Sequence, residues 1–117
     1  MKISEVRDIL NAEVVVGDNQ LDKTVDAAGG ADLLEDILVA LADGSVFLTG
    51  VVSEQVLRIA KLAGVGAVVF VRGKKPDKAA IDLAKSYDIP VLLTDYSMFV
   101  ASGRLYLNGL RGLDGSW

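Results

Sequence analysis

Short apolar runs, polar turns and stretches of helical periodicity alternate along this 117-residue chain. Behind Ser4, a suitable N-cap, the residues Ile3, Val6, Ile9 and Leu10 repeat at helical spacing and predict a short helix to about Leu10. Glu13 to Val16 reads as a strand and Gly17-Asp18-Asn19 as a turn. Leu21 to Val25 reads as a second short extended piece or a loop. Gly29-Gly30 then leads to Asp32, a good N-cap for a helix whose face is Leu33, Leu34, Ile37, Leu38 and Leu41, and Asp43-Gly44 ends it.

From there the pattern becomes regular. Ser45 to Leu48 is a short apolar strand, and Ser53 caps a helix with Val56, Ile59, Ala60 and Ala63 on one face, closed by Gly64. Ala67 to Val71 is apolar without interruption, as expected of a strand covered on both faces. Pro76 suits the first turn of the next helix, which turns Ala80, Leu83, Ala84 and Tyr87 inward, and Pro90 to Leu93 is a third strand. Strand centres near Phe47, Val69 and Leu92 are about 22–23 residues apart, the length of a helical crossover between parallel strands, right-handed in nearly all cases. The fold class is therefore α/β: a three-layer-like domain with a mostly parallel sheet of about four to five strands and βαβ crossovers. The segment after Ser97 is a helix with Phe99, Val100, Gly103, Tyr106, Leu107 and Leu110 on one face, packing closely at Gly103, or else a strand over Arg104 to Leu107. Residues 1–111 make one domain, and 112–117 are expected to form a flexible tail.

Composition narrows the function. At 12.4 kDa the chain suits one domain, with roughly 6,100 Å² of folded surface against roughly 18,000 Å² unfolded. Cys and His are both absent, so thiolate metal sites, disulfides and every Ser-His or Cys-His catalytic arrangement are excluded. A net charge of −4 argues against nucleic acid as a partner. No apolar run is long enough to span a membrane, and the opening residues lack the pattern of a signal peptide, so a cytoplasmic location is expected. A hydrophobic fraction of 51% and a mean hydropathy of +0.40 are high for a small acidic domain, and surplus apolar surface ordinarily ends in an interface, most simply a two-fold homodimer.

Ligands of parallel sheets gather beyond the carboxyl ends of the strands. Here those ends are Thr49-Gly50 with Ser53, Arg72-Gly73-Lys74, and Thr94-Asp95 with Ser97, and each leads into a helix whose dipole favours an anion. A nucleotide or other small anion fits such a rim; equally, strand-to-helix loops are polar in any fold of this class. Gly73-Lys74 lacks the spacing and the Ser/Thr of a P-loop, and Gly64-Val65-Gly66 leads into a strand, so it is no dinucleotide fingerprint. Asp32 and Asp36, four apart, have the spacing to share a divalent cation, although helix capping by Asp32 accounts for them as well. No cofactor, resident metal or catalytic residue is indicated.

The run from Gly29-Gly30 through Asp32 and Asp36 to Leu38 resembles the Gly-Gly-x-x-Asp-Leu-Leu-Ser-Asp-Val segment of small DRTGG-domain proteins. Arg72-Gly73-Lys74-Lys75-Pro76, Ile89-Pro90-Val91-Leu92 with Thr94, and Gly103-Arg104-Leu105-Tyr106 extend the resemblance to about Leu110. It implies an α/β domain that dimerises, similar to the N-terminal domain of HPr kinase/phosphorylase, and found fused to CBS domains and in phosphate acetyltransferases. Stand-alone members are encoded near hydrogenase or electron-bifurcating subunits, which implies a redox-enzyme partner and a regulatory role without catalysis. The namesake Asp-Arg would fall near Val52-Ser53 and the Thr-Gly-Gly near Val71-Arg72-Gly73, where only the last glycine is kept. A kinase activity is not implied, because the P-loop half is missing.

Overall fold

A computed structural model describes residues 1–33, 36 and 43–113. The helix expected after Asp32 falls largely outside the described residues. Among those described, six strands form one sheet: β1 (Glu13–Val16), β2 (Ala27–Gly30), β3 (Val46–Thr49), β4 (Ala67–Phe70), β5 (Val91–Leu93) and β6 (Arg111–Gly112). Their order across the sheet is β1-β5-β4-β3-β2-β6. All neighbouring pairs are parallel except β1 with β5, which is antiparallel and slips between Val14 and Val16. Six strands exceed the four to five expected from the sequence because β2 and β6 lack a strand-like pattern. Ala27-Ala28-Gly29-Gly30 has little β-propensity and reads as a loop, yet it pairs with β3 on one side and β6 on the other.

Position 30 is closely packed, which suits a glycine. A Cβ there would lie 2.7 Å from the Met98 sulfur and 3.3 Å from the Leu48 carbonyl oxygen. Here β-propensity yields to the need for a thin strand beneath a helix.

Every residue of β3 and β4 is buried. Their side chains alternate between two apolar cores. Val46, Leu48, Ala67 and Val69 face α1 (Ile3–Leu10) and α4 (Met98–Leu107), whereas Phe47, Val68 and Phe70 face α2 (Glu54–Ala63) and α3 (Lys78–Tyr87). The three-layer α/β architecture is thus as the periodicity indicates. The surface of 6097 Å² is that of an ordinary compact domain of this mass, so the apolar surplus does not come from an open shape.

Several local readings change. Pro76 precedes α3 instead of opening it: Asp77 is the N-cap, and its carboxylate accepts from the Ala80 N–H at 2.9 Å. Lys78 then begins the helix, where a cation opposes the dipole, and Asp82 four residues on offsets it at 2.7 Å. That hydrogen bond raises the Lys78 pKa and lowers that of Asp82. The segment from Met98 is a helix, but with the opposite face inward. Ala101 and Leu105 are buried, whereas Phe99 and Leu107 are 87% and 85% exposed, and a Cβ on Gly103 would meet nothing within 4 Å. The expected domain–tail boundary at residue 112 falls inside β6, where Gly112 pairs with Ala28. Residues 114–117 lie outside the described residues.

Thr94, just past β5, ties the antiparallel edge to the rest of the sheet. Its buried hydroxyl donates to the Leu10 carbonyl at the end of α1 at 2.7 Å and accepts from the Tyr96 N–H at 3.2 Å. Thr94→Val keeps the shape and orphans both partners, so it should destabilise the fold by about 1–3 kcal/mol. In urea denaturation the midpoint should fall with little change in slope; an unmoved midpoint would mean that this hydroxyl contributes no net stability.

Candidate functional site

Topology selects one place where a ligand would ordinarily lie. The chain leaves β4 towards α3 on one face of the sheet and leaves β5 towards α4 on the other. The crevice between the carboxyl ends of β4 and β5 is therefore a topological switch point. In this protein the crevice is laced shut. The Arg72 N–H donates to the Tyr96 carbonyl at 2.8 Å and the Gly73 N–H donates to the Thr94 carbonyl at 3.0 Å. Arg72 adopts φ +61° and Gly73 φ +68°, a left-handed pair that folds the loop back over the strand ends.

The threonines at the rim are buried. Thr49, fully buried, accepts from the Val51 N–H at 3.0 Å, as Thr94 does from Tyr96. Each hydroxyl closes the turn that follows its own strand. Ser97 caps α4, accepting from the Val100 N–H at 3.2 Å. Ser53 stands at the N-cap of α2 as expected, but its hydroxyl makes no capping hydrogen bond. Lys74 is exposed. Gly73, Lys75, Leu93 and Asp95 line a shallow cleft of about 210 Å³ together with Asn11 and Glu13, so two carboxylates offset its lysine.

The residues that do come together lie one strand over. Asp32, just past β2, accepts from the Gly50 N–H at 2.7 Å through its carboxylate, and the same carboxylate lies 3.7 Å from the Arg72 guanidinium. The guanidinium is seated over Gly50 so closely that a Cβ there would collide with it. Three rim elements, the ends of β2, β3 and β4, thus meet at an Asp32–Gly50–Arg72 cluster. The sequence places Gly50 and Arg72 on the rim but gives Asp32 only the roles of helix cap or cation ligand, because the pairing of β2 with β3 that brings Asp32 to Gly50 leaves no local signal. Among the described residues no three acidic, His or Cys side chains gather as a metal site, and Asp36 does not join Asp32 in one.

A larger cleft of about 330 Å³ opens at the opposite end of the sheet, between Gln20, Lys61, Tyr87, Asp88 and Pro90. It is lined by the carboxyl ends of α2 and α3, whose carbonyls disfavour anions. Its polar groups are engaged within the fold: Lys61 donates to the Tyr87 carbonyl at 3.5 Å, Lys23 to the buried Gln20 side chain at 2.8 Å, and the Gln20 amide to the Asp88 carbonyl at 3.0 Å. On the far face Arg104 donates to the Ile9 carbonyl at 2.9 Å and stacks 5.0 Å from the Tyr96 ring centroid, joining α4 to α1.

No curated protein matches the sequence. Among solved structures, the fold is similar to that of the CBS and DRTGG domains of the regulatory region of Clostridium perfringens pyrophosphatase, crystallised with its activator diadenosine tetraphosphate. The TM-score is 0.73 at 21% identity, over 89% of this chain and 45% of that one, so this chain spans about half the length of that protein's region. The family model described as the DRTGG domain matches residues 5–107, from α1 to the end of α4. With the match running through nearly the whole sheet and its helices, the chain belongs to the DRTGG domain family.

Proposed function

We propose that this protein is a non-catalytic regulatory domain that acts as a homodimer, docking a second copy through the outer face of α4. The exposed face of that helix carries the reading. Four of the large exposed hydrophobics lie on it: Phe99, Val100, Tyr106 and Leu107. Together these expose on the order of 400–500 Å², within the range of the largest apolar patch on an ordinary monomer and about half of one partner's share of a standard interface.

A second copy is the occupant this face suits. None of the four side chains, nor Gly103 between them, carries a charge, and one cation, the Arg111 guanidinium, stacks 4.8 Å from the Tyr106 ring centroid at the edge of the face. Gly103 leaves open space at the middle of the stripe, which lets a facing helix approach closely. A two-fold axis near Gly103 would place the same stripe on itself, as an isologous interface requires. A regulatory role is supported by family membership and by the likeness to a regulatory region of another protein. The regulated partner to test first is the redox enzyme complex that the family resemblance implies.

A second reading, binding of a nucleotide or other small anion at the strand-end rim, is favoured by one observation. The Gly50 N–H and the Arg72 guanidinium already hold a carboxylate there. Thermal-shift screening with nucleotides and acidic metabolites should reveal a stabilising ligand whose effect is lost in Arg72→Ala and kept in Lys74→Ala. Retention in both variants would move the site away from this cluster.

The dimer has its own test. Light scattering coupled to size exclusion should give twice the chain mass at micromolar concentration. Leu107→Glu should yield a monomer whose stability at the level of the single fold changes by less than about 1 kcal/mol, because the side chain is exposed. A monomeric wild-type protein, or a dimer indifferent to Leu107→Glu and Phe99→Glu, would overturn the α4 interface.

A further inference from the structure

We propose that the Gly50 N–H and the Arg72 guanidinium form a phosphoryl-binding pocket in which the Asp32 carboxylate sits as an internal competitor, so that a phosphate-bearing ligand binds by displacing Asp32. The proposal rests on the anion-binding reading of the rim and assigns its ligand class and its regulation.

The position holds an anion in the free protein. Asp32 accepts from the Gly50 N–H at 2.7 Å, a charge-assisted length, while its distance to the Arg72 guanidinium, 3.7 Å, is too long for a tight bidentate pair. Both side chains are about half exposed, at 46% and 50% for Asp32 and Arg72. An ion pair in that setting is weak and exchanges readily. The carboxylate is therefore seated well on one donor and poorly on the other, as a stand-in smaller than the group the pocket fits.

The Gly50 N–H and the Arg72 backbone do not depend on Asp32 for their placement, whereas the Arg72 side chain is paired with it. The Arg72 backbone is fixed at φ +61° by its N–H bond to the Tyr96 carbonyl. Its guanidinium lies over Gly50, where the missing side chain leaves room. Gly50 continues from β3, whose partners are β2 and β4. Three residues further on, Ser53 begins α2 with its hydroxyl uncommitted to capping.

The same geometry distinguishes ligands. A free carboxylate offers no more than Asp32, which is tethered beside the pocket at high effective concentration. A phosphate brings close to two charges and three acceptor oxygens, enough to engage the Gly50 N–H and the guanidinium together. Binding would then release Asp32 from Gly50, so the occupied and free states differ at the carboxyl end of β2. A regulatory domain could transmit such a difference.

Amide NMR of the full chain, titrated with inorganic phosphate against chloride at constant ionic strength and near-neutral pH, tests this directly. In Asp32→Ala the Gly50 resonance should shift saturably, with a dissociation constant about tenfold or more below that of the wild type. Asp32→Asn, which keeps size and an acceptor, should shift in the same direction and serves if Asp32→Ala fails to fold. Adding Arg72→Ala should abolish the response. Equal affinity in wild type and Asp32 variants would overturn the internal competitor and leave anion binding at the rim standing. No Gly50 response in any variant would overturn both.

Discussion

The whole architecture depends on the burial of β3 and β4 on both faces. Val46–Thr49 and Ala67–Phe70 expose essentially nothing to solvent, so the chain must place helices above and below them. Two crossovers, α2 and α3, cover one face in succession. The other is covered by α1, before the first strand, and by α4, between β5 and β6. That division makes the exits of β4 and β5 diverge, and it creates the crevice where proteins of this class ordinarily bind ligands.

This protein fills its own crevice. Backbone hydrogen bonds from Arg72 and Gly73 to the β5 exit close the switch point, and the two rim threonines spend their hydroxyls on the turns that follow their own strands. The positive charge of Arg72 is thereby turned aside, towards Gly50 and Asp32. The site with chemical potential has moved one strand over, to the meeting of β2, β3 and β4. There a carboxylate, a backbone donor and a guanidinium are gathered in a half-exposed setting. At the far end of the sheet the larger cleft is lined by helix carboxyl termini whose carbonyls accept mainly from backbone N–H groups, and its polar side chains are engaged within the fold.

The two proposed interactions occupy different surfaces. The α4 stripe lies on an outer layer, whereas the Asp32–Gly50–Arg72 cluster lies at the carboxyl edge of the sheet. They are nevertheless mechanically near. Met98, the first residue of α4, packs over Gly30, two residues before Asp32. A change at the end of β2 is thus in contact with the start of the helix offered to a second copy. That adjacency is the physical basis on which a small anion could bias an assembly, which is what a regulatory domain does.

How much of this the sequence carried depends on which forces acted locally. Continuous apolar runs at Val46–Leu48 and Ala67–Val71, with helical periodicity between them, determine the parallel α/β core, because burial on both faces leaves a mark on every residue. The absence of His and Cys and the rim positions of Gly50 and Arg72 are likewise legible without coordinates. The strand Ala27–Gly30 is not, since its residues favour no strand by themselves and pair only because β3 and β6 flank them. Nor is the orientation of α4: the larger apolar residues look like the inward face, but Ala101 and Leu105 join the core and Met98 lies over Gly30, which leaves Phe99 and Leu107 outward. Asp32 reaches Gly50 through strand pairing 18 residues apart in sequence, beyond the reach of any local signal. Burial and periodicity are properties of a segment and can be read from it, whereas the choice of which face is covered, and of which distant groups meet, belongs to the packed whole.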